Sequence, residues 1–221
     1  METLPLDKKA ILNKYSDYIL RHNHSPKNIY SFCEDNEMSE NDFYIFFANF
    51  EEVEKEFLVY FFEESLFLLG DDLNYSQMDD KTKLLSLYYT YFEQLTMNRS
   101  LIMVILKKKN PLERLKKLSK LKVMFIDLIK TLNIVTMSND LENSKLEKLE
   151  KYKNKGVEEL FWNNFLVTLK FWMDDTSSSF EKTDIFIEKS VEASFELINT
   201  KPLEKLLDFG KFIWKEKVGK F

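Results

Sequence analysis

The sequence predicts an all-α protein, and three features support this prediction. Glycine and proline number only four each among 221 residues, which leaves few tight turns for a β-sandwich or a β-barrel. Apolar residues recur at the three- and four-residue spacing of amphipathic helices. Several of these segments begin with residue types that cap helices well. The hydrophobic fraction of 44% is typical of a soluble globular protein, so the helices are expected to share a packed core.

Two helices are predicted in the first 35 residues. Ile11, Tyr15 and Ile19 repeat at helical spacing and indicate an amphipathic helix over about residues 7–22. Ser25 and Pro26 then predict the start of a second helix, because Ser is a good N-cap and Pro is favoured at the first helical position.

A third short helix is predicted after a break at Asn36 and Glu37. Ser39 and Asp42 have the spacing of a capping box, which marks the start of this helix. Two short helices joined by a tight break are typical of a helix-turn-helix. The apolar residues of this region are spaced so that they can close one small core: Ile29, Phe32, Cys33, Met38, Phe43 and Phe47.

A long fourth helix and a run of later helices complete the prediction. Asn49 and Glu52 repeat the capping pattern for a helix that reaches about Gly70 and is apolar on two sides. Further helices are expected over about 79–97, 99–109, 111–134, 157–175 and 180–199, with a final one from Pro202. The Lys- and Glu-rich stretch 138–156 is interpreted as a mobile connection or a marginal helix.

Charge is unevenly distributed along the chain. The net charge of −5 argues against a general nucleic-acid coat protein. Residues 28–66 carry a net charge of −10, whereas residues 99–122 carry +8. The basic stretch KKKNPLERLKKLSKLK at 107–122 suits an acidic partner, a phosphate-rich surface or an anionic membrane. The favoured interpretation is a solvated helix face, with lysines between recurring leucines. The stretch also offers a partner for the acidic region, within the chain or across a dimer.

Sequence patterns of catalysis, metal binding and cofactor binding are not found. Cys33 stands alone, which excludes an intramolecular disulfide and fits a reducing cytoplasm; it is expected to be a small buried apolar residue. His22 and His24 have no third ligand at a familiar spacing and are expected near the end of the first helix. The longest apolar run, LIMVIL at 101–106, is too short to span a bilayer. A cytoplasmic protein without enzymatic activity or cofactor is expected.

The run IYSFCEDNEMSENDFYIFFANFEEV, residues 29–53, resembles the helix-turn-helix signature of TetR-type transcriptional regulators. Tyr44 and Phe47 match the Tyr-x-x-Phe that ends the family's recognition helix, and Asn49 stands at the cap that follows. The resemblance extends over about residues 10–53, and beyond them it concerns only the number and length of helices. It implies a TetR-like fold, with a helix-turn-helix domain at 1–49 and a larger ligand-binding and dimerisation domain at 50–221.

The resemblance implies a homodimer that binds operator DNA and senses a small apolar ligand. Base reading is expected from residues near Ser39, Asn41 and Tyr44. The expected phosphate anchors of the DNA-binding surface are Lys8, Lys9, Lys27 and Lys55. Aromatic-rich segments predict a ligand pocket or an ordinary core at Phe61, Tyr88, Tyr91, Phe92, Met103, Phe125, Phe161 and Phe165. The two strong late helices predict a dimer interface, or completion of the monomer core, at Trp162, Leu169, Trp172, Ile187, Val191 and Phe195.

The chain departs from the family signature in ways that leave a second function open. Glu37 and Asn41 occupy positions usually held by Gly, and Phe50 replaces a usual Lys. Carboxylates stand where phosphate-binding cations are expected: Glu34, Asp35, Glu37, Glu40 and Asp42. The alternative is a TetR-fold protein that has lost DNA binding. In that case its acidic N-terminal face docks a basic protein partner, or its interior carries a lipid-like ligand.

Overall fold

The computed structural model describes residues 7–107, 110–132, 134 and 144–198. Within these ranges the regular structure is helical throughout, which confirms the predicted all-α class. Ten α-helices are described. Single 3-10 turns at Tyr75–Gln77 and Ser178–Phe180 precede the fifth and the last of them.

The first three helices are α1 (Lys8–His22), α2 (Ile29–Asp35) and α3 (Glu40–Phe46). The predicted start of α2 at Ser25 and Pro26 is wrong. Asn28 is the N-cap instead, and its side chain accepts a hydrogen bond from the Ser31 backbone N–H at 2.8 Å. The Ser25 hydroxyl is engaged elsewhere, as the donor of a hydrogen bond to a buried glutamate.

Helix α4 spans Phe50–Gly70, as the sequence predicts, and Asn49 caps it by accepting from the Glu52 backbone N–H. Both predicted apolar stripes are largely buried, with Phe57 and Phe62 as examples. Leu68, which helical spacing places in one of these stripes, is 48% exposed. The same helix buries Glu54 and Glu56, which the apolar pattern does not predict.

The middle of the chain forms α5 (Asp80–Met97), α6 (Arg99–Leu106), α7 (Pro111–Lys117) and α8 (Ser119–Thr131). The single helix predicted over 111–134 is therefore two helices, which meet at Leu118. Helix α6 also ends earlier than predicted, at Leu106. The break matters because it changes which leucines of the basic stretch face the core.

The last two helices are α9 (Ser144–Asp174) and α10 (Glu181–Ile198), which pack against each other. Helix α9 begins before the predicted residue 157, so residues 144–156 are helical; residues 138–143 and the helix predicted from Pro202 lie outside the described residues. Asp175 joins the pair: its carboxylate accepts from the backbone N–H and the hydroxyl of Thr183, at 2.9 and 2.7 Å. Burial raises the pKa of Asp175, but these bonds and those from Ser177 outweigh it and lower the pKa to about 2.

The helices are distributed over two compact units. The first unit runs to Asp71 and resumes over Thr90–Met124, so it holds α1 to α4, the second part of α5, α6, α7 and the beginning of α8. The second unit takes Asp72–Tyr89 and begins again at Phe125, which gives it α9 and α10. In the first unit α1 packs against α4 and α6, and α4 packs against α7.

Candidate nucleic-acid interface

A rigid turn joins α2 to α3. The Met38 backbone N–H donates to the Cys33 carbonyl at 3.0 Å, which closes the end of α2. Glu37 has a φ of 54°, in the left-handed region that favours glycine. This conformation explains why the family signature places Gly there. Ser39 and Asp42 then form the predicted reciprocal capping box, with the Asp42 N–H donating to the Ser39 hydroxyl at 3.1 Å.

An aromatic core holds α2 and α3 at a fixed angle. Phe32, Cys33, Phe43 and Phe47 are buried, as predicted. Phe50 packs on this core from α4, with its ring centre 5.4 Å from that of Phe32 and 5.5 Å from that of Phe43. Phe50, which replaces the usual Lys, is thus a packing residue. It strengthens the helix-turn-helix core at the loss of one cation near its surface.

Helix α3 presents its polar side chains outward. Ser39, Asn41 and Tyr44, the predicted base-reading residues, are all exposed, and Tyr44 is 50% exposed. Ile45 and Phe46 are exposed beside them, at 66% and 36%. The end of α3 therefore offers apolar as well as hydrogen-bonding surface.

Three of the four predicted phosphate anchors are engaged within the chain. Lys8 forms an ion pair with Glu56. Lys55 lies 2.8 Å from Glu52, and the pKa of Lys55 is raised chiefly by that hydrogen bond.

The Lys9 ammonium lies 5.5 Å from the centre of the Tyr60 ring, and a hydrogen bond to the Tyr60 hydroxyl is the main cause of the raised pKa of Lys9. Lys27, by contrast, is exposed at the start of the helix-turn-helix. The charge distribution along the sequence does not show that Lys8, Lys9 and Lys55 have partners within the chain.

The carboxylates of α2 and α3 stay on the surface. Glu34, Asp35, Glu37 and Glu40 are exposed. Tyr30 donates to Glu34 at 2.8 Å, and this bond raises the pKa of the tyrosine. The outer surface of the helix-turn-helix is consequently acidic, with Lys27 at its edge.

A buried polar cluster in the first unit was not predicted residue by residue. Glu54 is 3% exposed and accepts hydrogen bonds from the hydroxyls of Tyr15, at 2.8 Å, and Ser25, at 2.7 Å. Lys117 of α7 is also buried and forms an ion pair with Glu54. Burial, followed by the charge of Glu54, raises the pKa of Tyr15 well above its ordinary value. One carboxylate thus links α1, the loop after it, α4 and α7.

A second set of ion pairs joins α4 to the basic stretch. The Lys120 Nζ lies 2.7 Å from Oε2 of Glu52 and 3.7 Å from Oε2 of Glu56. Hydrogen bonds from Lys120 and Lys55 lower the pKa of Glu52 to about 2. The expectation that the basic stretch partners the acidic region is thus met within a single chain. The signal in the sequence was the pair of opposite charge blocks.

The predicted ligand-binding residues fall into two sets. Phe61, Tyr91, Phe92 and Met103 belong to the first unit, where the Tyr91 hydroxyl donates to the Leu58 carbonyl at 3.3 Å. The other four belong to the second unit. The rings of Tyr88, Phe125 and Phe165 pack against one another, and the Tyr88 hydroxyl donates to the Phe161 carbonyl at 3.4 Å. All eight are buried except Met103, which is half-buried. Each set is a packed aromatic core of its own unit.

The predicted dimer-interface residues are mostly core residues of one protomer. Five are buried within the second unit: Trp162, Leu169, Trp172, Ile187 and Val191. Phe195 is half-buried, with its ring 5.2 Å from that of Phe161. Because they are buried, these side chains leave little surface for a partner. The sequence pattern shows which face of a helix is apolar, but it does not show whether the same chain or a partner covers that face.

Other apolar residues of the same two helices are accessible. Val167 of α9 and Leu197 of α10 are 56% and 45% exposed. The half-buried rings of Phe171 and Phe186, one from each helix, stack with their centres 4.4 Å apart. The accessible apolar surface of these two helices, which includes Val167, Phe171, Phe186 and Leu197, is here called the α9–α10 patch.

The described residues contain no group of three or more His, Cys, Asp or Glu side chains that could hold a metal ion. No helix among them is long and apolar enough to cross a membrane. His22 lies at the end of α1, as expected, with its Nδ1 2.9 Å from the Tyr18 carbonyl oxygen.

Comparison with known proteins identifies the family. A search of curated proteins found no match. A family model described as "Tetracyclin repressor-like, C-terminal domain" matches residues 83–213, which is more than half of the chain. This match covers the region in which the sequence offered only an architectural resemblance, and it complements the signature at residues 29–53. The chain belongs to the TetR family.

Proposed function

We propose that the protein is a cytoplasmic transcriptional regulator that binds operator DNA as a homodimer and responds to a small apolar molecule. Residues 1–49 would read the DNA, and residues 50–221 would dimerise and bind the effector. The observation that carries the proposal is the capped, outward-facing α3 on a rigid helix-turn-helix. Regulation of this kind needs no catalytic group, and none is proposed.

Base reading falls to the exposed side chains at the start of α3. The Asn41 amide can both donate to and accept from an adenine edge in the major groove. The Ser39 and Tyr44 hydroxyls suit bases or phosphates nearby. Lys27 is the proposed phosphate anchor that lacks a described partner. Lys8, Lys9 and Lys55 would have to leave their present partners before contacting phosphates.

A weak dependence of DNA affinity on salt follows from this arrangement. Each phosphate neutralised by a cation steepens the dependence of the logarithm of affinity on the logarithm of salt concentration by about 0.9. With one or two cations available per protomer, affinity has to come from base contacts and from the pairing of two half-sites. We therefore expect a shallow slope for a dimer, about −2 to −4.

The dimer is proposed to form through the α9–α10 patch, because helices of two protomers can bury this apolar surface as a four-helix bundle. Val167→Asp places a charge in the patch and should shift the dimer towards monomer in sedimentation-velocity measurements. Val123→Asp is the matched control, since Val123 is an equally exposed valine on α8. Equal behaviour of the two variants would contradict the proposed interface.

The effector is proposed to be apolar because both units have aromatic interiors. The candidate residues remain the eight buried or half-buried side chains divided between the units. An apolar ligand would have to displace aromatic contacts in one of these cores, and its binding should raise the melting temperature of the protein.

Fluorescence anisotropy of labelled DNA tests the regulator proposal. The probe is the DNA upstream of the protein's own gene, measured at about 20 mM and about 150 mM salt. Wild-type protein should bind at both concentrations, and Asn41→Ala should weaken binding by about 5- to 150-fold, or about 1–3 kcal/mol. Asn74→Ala, which removes an exposed asparagine before α5, should have no effect. Absence of binding at the lower salt concentration would reject the proposal.

The acidic surface of the helix-turn-helix favours a second candidate function. Exposed carboxylates on α2 and α3, together with internally paired lysines, suit a basic protein partner better than phosphates. In this case the TetR fold is retained without DNA binding, and the interior carries a lipid-like ligand or only supports the fold. Failure of the DNA titration, together with specific capture of one basic protein that Glu34→Lys/Glu40→Lys abolishes, would establish this candidate instead.

A further inference from the structure

Helix α7 has two leucines on its outer surface. Leu112 is 65% exposed and Leu115 is 46% exposed, whereas Leu118 and Leu121 are buried. In the sequence these four leucines recur at near-threefold spacing with lysines between them, on what is interpreted as a solvated helix face. The break at Leu118 divides the four, and the first two leucines face away from the core.

The basic residues around α7 divide into two groups by direction. Lys117 and Lys120 face α4, where Glu54 and Glu52 neutralise them. Lys107 and Lys116 are exposed with the outward leucines. The outward surface therefore combines leucines with lysines, and Glu113 is the acidic residue among them.

We propose that this surface of α7 binds anionic membrane surfaces reversibly. Leu112 and Leu115 would insert between lipid headgroups, and Lys107 and Lys116 would contact lipid phosphates. Helices that lie in a membrane interface have this combination of apolar and basic side chains. The proposal concerns adsorption to one leaflet.

An acidic protein is a poorer partner for this surface than a membrane. A stable protein interface buries about 800 Å² on each partner, and a helix of two turns with two exposed leucines offers only part of that area. Membrane adsorption requires only that a few side chains reach the headgroup region. The net charge of −5 repels the rest of the protein from anionic lipid, so binding has to be local to α7.

Co-sedimentation with lipid vesicles tests the proposal on the full-length protein. Vesicles of phosphatidylglycerol and phosphatidylcholine in equal parts should retain the wild-type protein, and phosphatidylcholine alone should not. Retention should fall as salt is raised, because the lysine contacts are screened. Leu112→Ser/Leu115→Ser should weaken retention about tenfold, because it removes the inserted side chains. Lys116→Glu should weaken it by about the same factor.

Matched variants distinguish binding through this surface from nonspecific binding. Leu20→Ser/Leu73→Ser removes two other exposed leucines, and Lys155→Glu reverses another exposed lysine; both should bind as wild type does. Thermal unfolding of each variant should remain at the wild-type temperature, which confirms that the fold is intact. The proposal would be overturned if anionic vesicles did not retain the wild-type protein, or if they retained the α7 leucine variant as well as the wild type. Binding to polyglutamate in place of vesicles would also overturn it, in favour of an acidic protein partner.

Discussion

The acidic residues of α4 and those of α2 and α3 carry the same charge but occupy different environments. Glu52, Glu54 and Glu56 of α4 each meet a lysine of the same unit. Glu34 and Glu40, by contrast, project from the helix-turn-helix into solvent. In the sequence, both groups belong to the same acidic block, residues 28–66, and cannot be distinguished.

This contrast separates two roles of acidic residues. Paired carboxylates of α4 hold α7 and α8 against the helix-turn-helix half of the first unit, so removing them should affect stability. Exposed carboxylates of α2 and α3 set the potential that an approaching molecule meets, so changing them should affect binding with little change in stability. Three predictions test this division.

The largest effect is expected from Glu54→Gln. The amide can still accept from Tyr15 and Ser25, but it leaves the buried Lys117 ammonium without a negative partner. The free energy of unfolding should fall by about 3 kcal/mol, as for other buried ion pairs that lose one member. Urea-induced unfolding followed by circular dichroism measures this change.

Two variants control this result. Glu54→Gln/Lys117→Met replaces the stranded ammonium by an apolar side chain and should recover stability to within about 1 kcal/mol of wild type. Glu63→Gln removes an exposed carboxylate of the same helix and should change stability by less than about 0.5 kcal/mol. If Glu54→Gln proved as mild as Glu63→Gln, the buried pair would not be a stabilising element.

A smaller but distinctive effect is expected when the exposed carboxylates are reversed. Glu34→Lys/Glu37→Lys/Glu40→Lys should raise affinity for DNA of any sequence by about tenfold or more at moderate salt concentration. It should also steepen the salt dependence by about 0.9 for each new phosphate contact. Stability should stay within about 1 kcal/mol of wild type. Anisotropy titrations at several salt concentrations measure both quantities.

The control for charge reversal has the same change in net charge at other places. Glu63→Lys/Glu188→Lys/Glu196→Lys alters exposed carboxylates of α4 and α10. It should raise DNA affinity much less, because these side chains do not belong to the helix-turn-helix that is proposed to read the bases. Similar gains from both triple variants would mean that net charge alone, and not the surface of α2 and α3, opposes DNA.

The smallest effect concerns pH. The pKa of Glu52 is about 2 in the folded protein and near 4.5 when the side chain is free, because Lys120 and Lys55 favour the charged form. The unfolded chain therefore takes up this proton first as the pH falls. The stabilisation by Glu52 is present above pH 4.5 and is lost progressively as the pH falls towards 2.

Since Glu52 is partly solvated, about 1–2 kcal/mol should depend on this ionisation. The loss of stability between pH 6 and pH 3 should be smaller by that amount in Glu52→Gln than in wild type, in urea unfolding at each pH. Lys120→Met should reduce the loss similarly, whereas Lys116→Met, a matched exposed lysine, should not. Wild-type acid sensitivity in both Glu52→Gln and Lys120→Met would contradict the assigned pair.

Local features of the fold were predictable because short-range chemistry determines them. The capping box of Ser39 and Asp42 depends on residues three positions apart, and the structure has it as predicted. The buried residues Phe32 and Phe43 also follow from helical spacing around one turn. The prediction of Ser25 as the N-cap of α2 was wrong, because Ser25 forms its hydrogen bond with Glu54, which is distant in the chain.

The charged contacts of the candidate site were not predictable at the level of residues. Composition gave opposite charge blocks, but only the folded chain brings Lys120 to Glu52 and Lys8 to Glu56. The sequence pattern also does not show which of the four leucines are exposed. Helix α7 ends at a break at Leu118, and no glycine or proline in the sequence marks this break.

Cys33 makes the unmodified protein suitable for measurements of local opening. It is the chain's single thiol and is buried in α2. Burial, together with the nearby charges of Glu40 and Asp42, raises its pKa, so the reactive thiolate is scarce in the closed state. The rate at which a thiol reagent labels the chain therefore reports how often the helix-turn-helix unfolds locally. A bound molecule that clamps α2 and α3 should slow this labelling, whatever its chemical class.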